Sequence, residues 1–169
     1  MIRIVIAEDQ ELLLRAMGSL LNLEEDMEVV GQANNGEEAF TLVKLLQPDI
    51  CIMDIEMTEK SGLEAAEAFR AFGCKIIVLT TFARSGYSQR ACNAGVSGYL
   101  LKGSPIDELA CSIRRVMKGS RIFSPELIDK KDQNIEMIAV NQFTHQQKKI
   151  GTVRNYISTI LSKIKLPTG

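Results

Sequence analysis

IRIVIAEDQ, residues 2–10, places five apolar residues, interrupted only by Arg3, directly before two adjacent carboxylates, Glu8 and Asp9. Consecutive apolar residues rich in Ile and Val are typical of a strand that is covered on both faces in a parallel sheet. In open α/β sheets, ligands bind beyond the carboxyl ends of the strands, which is where Glu8 and Asp9 stand. A strand followed by a polar turn without any function has the same pattern. The choice between these two interpretations therefore depends on the rest of the chain.

The rest of the chain repeats this pattern, with strand-like and helix-like segments in alternation. Further strands are predicted at 27–33, 49–54, 75–81 and 97–102, and helices at 10–24, 36–47, 62–72, 85–95 and 105–119. Five strand–helix pairs in about 118 residues predict one α/β domain with a five-stranded, doubly wound parallel sheet.

The composition is that of an ordinary water-soluble domain, with 46% apolar and 24% charged residues among 169. No stretch approaches 18 uncharged apolar residues, so a membrane span is not expected. The chain enters a strand at once, which leaves no room for a signal peptide. Four scattered cysteines without metal-like spacing favour reduced thiols, Cys51 buried among them, in a cytoplasmic protein.

The charge is divided unevenly along the chain. Residues 1–129 hold 13 Lys and Arg against 19 Asp and Glu, whereas residues 130–169 hold 7 against 2. An acidic body with a basic tail indicates that the tail meets a polyanion, although many basic tails only aid solubility. Residues 119–142 have no sustained period and are predicted to be a linker, with a short helix after Ser124.

The predicted strand ends supply a group of side chains with complementary chemistry. Neighbouring parallel strands lie about 5 Å apart, so these side chains could share one cleft. Three carboxylates 4 Å apart would repel by about 4 kcal/mol per pair at an effective dielectric constant of 20, unless a cation joins them. Mg²⁺ suits such an oxygen-rich site. The residues in question are Glu8, Asp9, Asp54, Thr80 and Lys102.

A carboxylate beside Mg²⁺, with a lysine and a hydroxyl in reach, fits a nucleophile that accepts a phosphoryl group. Asp54 would attack, Lys102 would neutralise phosphoryl oxygens, and Thr80 would donate a hydrogen bond to one of them. Each residue alone also has an ordinary structural interpretation, as a strand-ending cap, a strand former or a solvated end. Their joint occurrence at matching strand ends favours the functional interpretation.

Four segments that carry these residues, AED, IMDIEM…SGLE, LTT and AGVSGYLLK, resemble the receiver domain of two-component response regulators over residues 1–118. The resemblance implies a flavodoxin-like sheet of strand order 2-1-3-4-5. It also implies that Asp54 is the phosphoacceptor and that Glu8 and Asp9 hold the metal together with Asp54 and the backbone carbonyl of Glu56.

The same resemblance implies two switch residues. Thr80 is preferred to Thr81 as the switch hydroxyl, because Thr80 keeps the family's spacing to Gly95 and Lys102. Tyr99 matches the aromatic position whose rotamer reports phosphorylation.

Residues 143–169 resemble part of the helix-turn-helix module that follows receivers in the NarL/FixJ (LuxR-type) class, with a recognition helix at about 151–165. Such helices place their first side chains on base edges and use Lys or Arg on phosphates. Arg154 and Asn155 are therefore candidates for base contact, and Lys163 and Lys165 for phosphate contact. The alternative is that these residues form the solvated face of an amphipathic helix.

The family would place about 30 more residues between Lys149 and Gly151. Without them the last helix has nothing to bury its apolar stripe against, and isolated helices of this length are marginal in water. Either a segment is missing from the sequence, which the intact flanks favour, or the chain is shortened. An intact mass well above 18.7 kDa would support the first alternative. A chain of 169 residues is expected to bind no specific DNA.

The expected function is phosphorylation-activated control of transcription. A sensor histidine kinase would phosphorylate Asp54, a homodimer would form, and the tails would bind promoter DNA if the helix-turn-helix is complete. Within its class, the motif set most resembles the fatty-acid desaturase regulator. The chain is expected not to be an enzyme.

Two alternatives stay open. DIEMT, residues 54–58, approximates the signature of aspartyl-phosphate phosphatases, but their order of acids along the chain is the reverse of the order here. A receiver that acts only through protein contacts gains support if the tail is truly short.

Overall fold

The computed structural model describes residues 1–57 and 62–129, with residues 62 and 63 described by their backbone. The strands are β1 (Ile2–Ala7), β2 (Met27–Ala33), β3 (Ile50–Asp54), β4 (Lys75–Thr80), β5 (Gly98–Leu101) and β6 (Ile122–Phe123). The helices are α1 (Glu11–Leu21), α2 (Gly36–Leu46), α3 (Gly62–Arg70), α4 (Tyr87–Asn93) and α5 (Ile106–Met117), with 3-10 turns at Ile55–Met57 and Pro125–Leu127.

All strands are parallel and belong to one sheet of order β2-β1-β3-β4-β5-β6. The predicted α/β fold and the order of its first five strands are confirmed. The last four residues of β1 and all five of β3 are buried. These two strands lie inside the sheet, which explains why their sequences are continuously apolar rather than alternating.

Helices cover both faces of the sheet, and successive strand residues enter two separate cores. Val5 and Cys51 pack on the face covered by α2, α3 and α4. Ile4 and Ile50 pack on the opposite face, which α1 and α5 cover. Since side chains alternate between faces along a strand, each apolar residue of the run has a core to enter.

Local sequence sets the limits of the helices, as α2 illustrates. The side chain of Asn35 accepts a hydrogen bond from the N–H of Glu38, and the Glu38 carboxylate accepts one from the N–H of Asn34, each at 2.8 Å. This reciprocal capping satisfies backbone donors that a helix start leaves free. The helix ends at Gln47, whose φ of 45° is left-handed, and Pro48 follows.

The sheet has six strands rather than the five expected. The additional strand, β6, pairs with β5 through two residues only, Ile122 opposite Gly98 and Phe123 opposite Tyr99. A two-residue strand is too short to produce a periodic signal, and the β5 edge that it covers is distant in sequence. The first part of the range predicted as a linker, 119–142, therefore packs against the domain, with Phe123 and Leu127 buried.

Among the described residues, no helix is long and apolar enough to cross a membrane. Cys51 is buried as expected, and burial raises the pKa of its thiol.

Candidate functional site

The carboxyl ends of four neighbouring strands bring the predicted side chains together. Asp54 ends β3 and Thr80 ends β4, whereas Glu8 and Asp9 follow β1 and Lys102 follows β5. In the sheet register Asp54 lies opposite Leu79, and Thr80 lies opposite Leu101. Carboxylate oxygens of Glu8, Asp9 and Asp54 all lie within 4.8 Å of one another. The predicted convergence of these acids is therefore present in the fold.

Lys102 joins two of these acids in the interior. Its Nζ lies 2.7 Å from Asp54 Oδ2 and 2.7 Å from Glu8 Oε2, and all three side chains are almost completely buried. Burial opposes the charge of Lys102, but hydrogen bonds to Asp54 and Glu8 outweigh that effect and raise the pKa of its ammonium. A charged ammonium thus donates to Asp54 and lies in ion-pair contact with Glu8.

Glu8 is the acid that burial affects most. Desolvation raises the pKa of its carboxyl to about 7, although Lys102 and the N–H of Gln10, which donates to Oε1 at 3.0 Å, act in the opposite direction. The shift is mainly a desolvation effect, because burial disfavours the charged carboxylate more than Lys102 and Gln10 favour it, and the nearby charge of Asp54 adds a smaller increase. Asp9, in contrast, is exposed.

We expect the metal-free protein to lose stability as the pH rises from about 4.5 to about 7. Within this window the folded Glu8 keeps a proton that the unfolded chain releases, so the free energy of unfolding falls with rising pH. Relative to Glu8→Gln, the loss between pH 5 and pH 8 should be about 2.5 kcal/mol, measured by urea unfolding in chelator. Glu25→Gln, an exposed change, is the matched control and should follow the wild type. Parallel profiles for wild type and Glu8→Gln would contradict this assignment.

The donor set fits a magnesium ion. Three carboxylates face one ammonium here, so acidic side chains outnumber the cation that contacts them. Mg²⁺ is usually bound through one or two carboxylates and keeps several waters, for which the exposed side chain of Asp9 leaves space.

Glu56 contacts the site in a way that the sequence did not indicate. Its backbone N–H donates to Asp54 Oδ1 at 2.9 Å, and its carboxylate accepts a hydrogen bond of 2.5 Å from the hydroxyl of Thr81. This bond links the turn after β3 to the loop after β4. No pattern in the sequence relates two residues 25 positions apart, so only the fold could reveal it. The predicted role of the Glu56 backbone carbonyl as a metal ligand stays a prediction.

The two predicted switch residues are both fully buried. The hydroxyl of Thr80 donates to the carbonyl oxygen of Phe82 at 3.0 Å, whereas Thr81 is exposed. The ring of Tyr99 lies 5.1 Å from that of Tyr87, and its hydroxyl forms no hydrogen bond with any residue of the described part of the chain.

The predicted DNA-contacting residues, Arg154, Asn155, Lys163 and Lys165, lie outside the residues that the structure describes. The assignment of residues 143–169 to a helix-turn-helix remnant also lies outside them.

Comparison with known proteins identifies relatives along most of the chain. The family described as response regulator receiver domain matches residues 4–114. Transcriptional regulatory protein DesR of Bacillus subtilis (strain 168) is 55% identical over 182 residues, which cover 98% of this chain and 92% of DesR. The uncharacterized transcriptional regulatory protein YvfU of the same strain is 51% identical, with 97% and 91% covered.

Solved structures give the same result. A DNA-binding response regulator of the LuxR family from Staphylococcus aureus has a TM-score of 0.65 at 37% identity, covering 69% of this chain and 99% of that one. A LuxR-family two-component response regulator from Aurantimonas sp. SI85-9A1 has a TM-score of 0.68 at 29% identity, with 74% and 91% covered. The chain therefore belongs to the response regulator receiver family, and its receiver domain is that of a LuxR-family transcriptional response regulator.

Proposed function

We propose that this protein is switched by phosphorylation of Asp54, with a sensor histidine kinase as the phosphoryl donor. One observation carries the proposal. Asp54 is a buried carboxylate at a strand end, and its two oxygens are held separately, Oδ2 by the Lys102 ammonium and Oδ1 by the Glu56 N–H. A carboxylate fixed in this way is oriented for attack on phosphorus.

In the proposed transfer, a carboxylate oxygen of Asp54 forms the new O–P bond while the P–N bond to the kinase histidine breaks. The imidazole nitrogen keeps that electron pair and takes up a proton. Lys102 neutralises an oxygen of the transferred group, which gathers negative charge. Glu8, Asp9 and Asp54 would hold Mg²⁺, with the Glu56 carbonyl as an added ligand. The ion supplies further neutralisation of phosphoryl charge when bound.

The switch that follows involves Thr80 and Tyr99. Thr80 would exchange its hydrogen bond to the Phe82 carbonyl for one to the acyl phosphate. A movement of the Tyr99 side chain would follow that of Thr80, and together they would shift an existing conformational equilibrium toward an active form. We propose that this form is a homodimer. In support, Leu12 of α1 is 60% exposed, whereas its neighbours Leu13 and Leu14 are buried. An exposed leucine on α1, a helix that packs in the same core as α5, supports a contact between copies through α1 and α5.

Phosphoryl uptake distinguishes this function from the phosphatase alternative. We expect a small phosphodonor with Mg²⁺ to label the protein to at most one phosphoryl group per chain, with slow decay after the donor is removed. The measurement is intact mass against time. Sustained hydrolysis of a phosphomonoester through many turnovers would instead identify an enzyme. The relatives are named as transcriptional regulators, which supports the switch.

Promoter DNA, in the cytoplasm, is the proposed target of the tail in a chain whose helix-turn-helix is complete. DesR matches this chain over 182 residues, whereas this chain has 169, so the alignment contains at least 13 positions of DesR without a counterpart here. We infer that they belong to the helix-turn-helix region, because every element of the receiver is present. A receiver that acts only through protein contacts is the second candidate, favoured by the same shortfall.

A further inference from the structure

Residues 122–129, which follow α5 and which we name the clasp, are attached to the strand that carries the lysine of the site. The N–H of Ser124 donates to the carbonyl oxygen of Tyr99 at 2.8 Å, and the N–H of Leu101 donates to Ser124 Oγ at 3.3 Å. Lys102 is the next residue of that chain segment, and its N–H donates to the carbonyl oxygen of Thr80. The clasp is therefore bonded to Tyr99 and Leu101, and the next residue, Lys102, is bonded in turn to Thr80.

A side chain of the clasp, that of Phe123, also packs on Tyr99, the aromatic switch residue. The fully buried ring of Phe123 meets that of Tyr99 edge-on at 6.0 Å, on the face of the sheet where Tyr87 of α4 lies 5.1 Å from Tyr99. Tyr99 thus has an aromatic neighbour from α4 and another from the clasp. An outward rotation of Tyr99 would break its contact with Phe123 and leave a space in the core.

The far end of the clasp holds the beginning of α4. Asp129 Oδ2 accepts a hydrogen bond of 2.6 Å from the N–H of Gly86, the residue before α4, which has no side chain to cap the helix itself. The clasp therefore bonds to β5 through Ser124, packs on Tyr99 through Phe123, and contacts α4 through Asp129. Its attachment depends on the relative placement of β5 and α4.

We propose that the clasp is part of the switch: its docking stabilises the inward position of Tyr99, so that phosphorylation tightens the attachment of the clasp to β5 and α4. This inference rests on the proposed function, because it takes modification of Asp54 as the input. Coupling of this kind is reciprocal. If the active form binds the clasp more tightly, loss of clasp contacts must weaken binding of a phosphoryl mimic at Asp54 by the same factor.

The test uses the full chain with Mg²⁺ and beryllofluoride, a mimic of the phosphoryl group. We expect beryllofluoride to slow amide hydrogen exchange in residues 122–129 about fivefold or more. Phe123→Ala should lower the apparent affinity for beryllofluoride, followed by ¹⁹F NMR, by about fivefold or more. Asp129→Ala, a surface change that leaves the core intact, should lower it in the same direction. Glu126→Ala removes an exposed acid of the same segment and should leave the affinity unchanged.

The possible results distinguish failure of the clasp proposal from failure of the proposed phosphorylation of Asp54. The clasp proposal would be overturned if beryllofluoride binds but amide exchange in residues 122–129 stays unchanged, and if Asp129→Ala and Glu126→Ala have equal affinities for it. The proposed function would stand in that case. Wild-type protein that takes up no beryllofluoride would overturn both. Weakened binding in both clasp variants, but not in Glu126→Ala, would establish the coupling.

Discussion

Asp54→Asn abolishes phosphoryl uptake: we expect no added mass after incubation with a small phosphodonor and Mg²⁺, under conditions that label the wild type. The reason is chemical, because an amide oxygen is a far weaker nucleophile than a carboxylate and yields no stable acyl phosphate. The substitution conserves volume, but the amide has one acceptor oxygen, so it can accept from the Lys102 ammonium or from the Glu56 N–H and not from both. Urea unfolding of the variant therefore accompanies the labelling, so that lost reactivity is distinguished from lost structure.

The matched control is Asp107→Asn in the first turn of α5, which changes the same chemical group away from the site. This variant should be labelled to the wild-type extent. The result that contradicts the assignment is a fully labelled Asp54→Asn. A mass increase in that variant would have to be located on another acid by peptide mapping, with Asp9 the first to examine because it is exposed beside Asp54.

Lys102→Met should lower the free energy of unfolding by about 3 kcal/mol at pH 8 in the absence of divalent metal. The substitution keeps the length and most of the volume of the side chain but removes the only cation that contacts Glu8 and Asp54 in the described part of the chain. Two buried carboxylates are then left to repel each other, and removal of one partner from a buried pair is strongly destabilising. Urea unfolding measures the change.

Two conditions should restore part of the stability lost in Lys102→Met. Added Mg²⁺ would compensate the negative charge that Lys102 no longer neutralises. A pH of about 5 would protonate Glu8, whose pKa already lies near 7 with Lys102 present. Lys118→Met, at an exposed position after α5, is the control and should change stability little. A loss that is equal at pH 5 and pH 8 would indicate a packing defect and would contradict the electrostatic explanation.

The sequence predicted that these side chains would lie together because they stand at strand ends. Glu8, Asp54 and Lys102 each follow an apolar run, and parallel strands with helical crossovers place all their carboxyl ends at one edge. Local order along the chain therefore determines proximity in space. The preference for Thr80 over Thr81 agrees with burial of the first and exposure of the second, although the role of Thr80 as a switch stays a prediction.

The sequence did not predict contacts that depend on side-chain rotamers or on pairing at a sheet edge. The bond between Glu56 and Thr81 joins two loops, and β6 consists of two residues whose partner strand is determined only when α5 returns the chain to β5. Neither feature corresponds to a periodic pattern or a motif in the sequence. Packing of Phe123 on Tyr99 follows from that return and has no signal of its own.

The sequence by itself determined the parallel α/β architecture, the position of each acid at a strand end, and the identity of the receiver family. It could do so because apolar runs, helix caps and strand-end polar residues are local features that the chain carries in order. Only the tertiary structure decided how charge is shared among Glu8, Asp54 and Lys102, and that residues 122–129 close over Tyr99. Those outcomes depend on burial and on distances of a few ångströms, and both exist only after the sheet has formed.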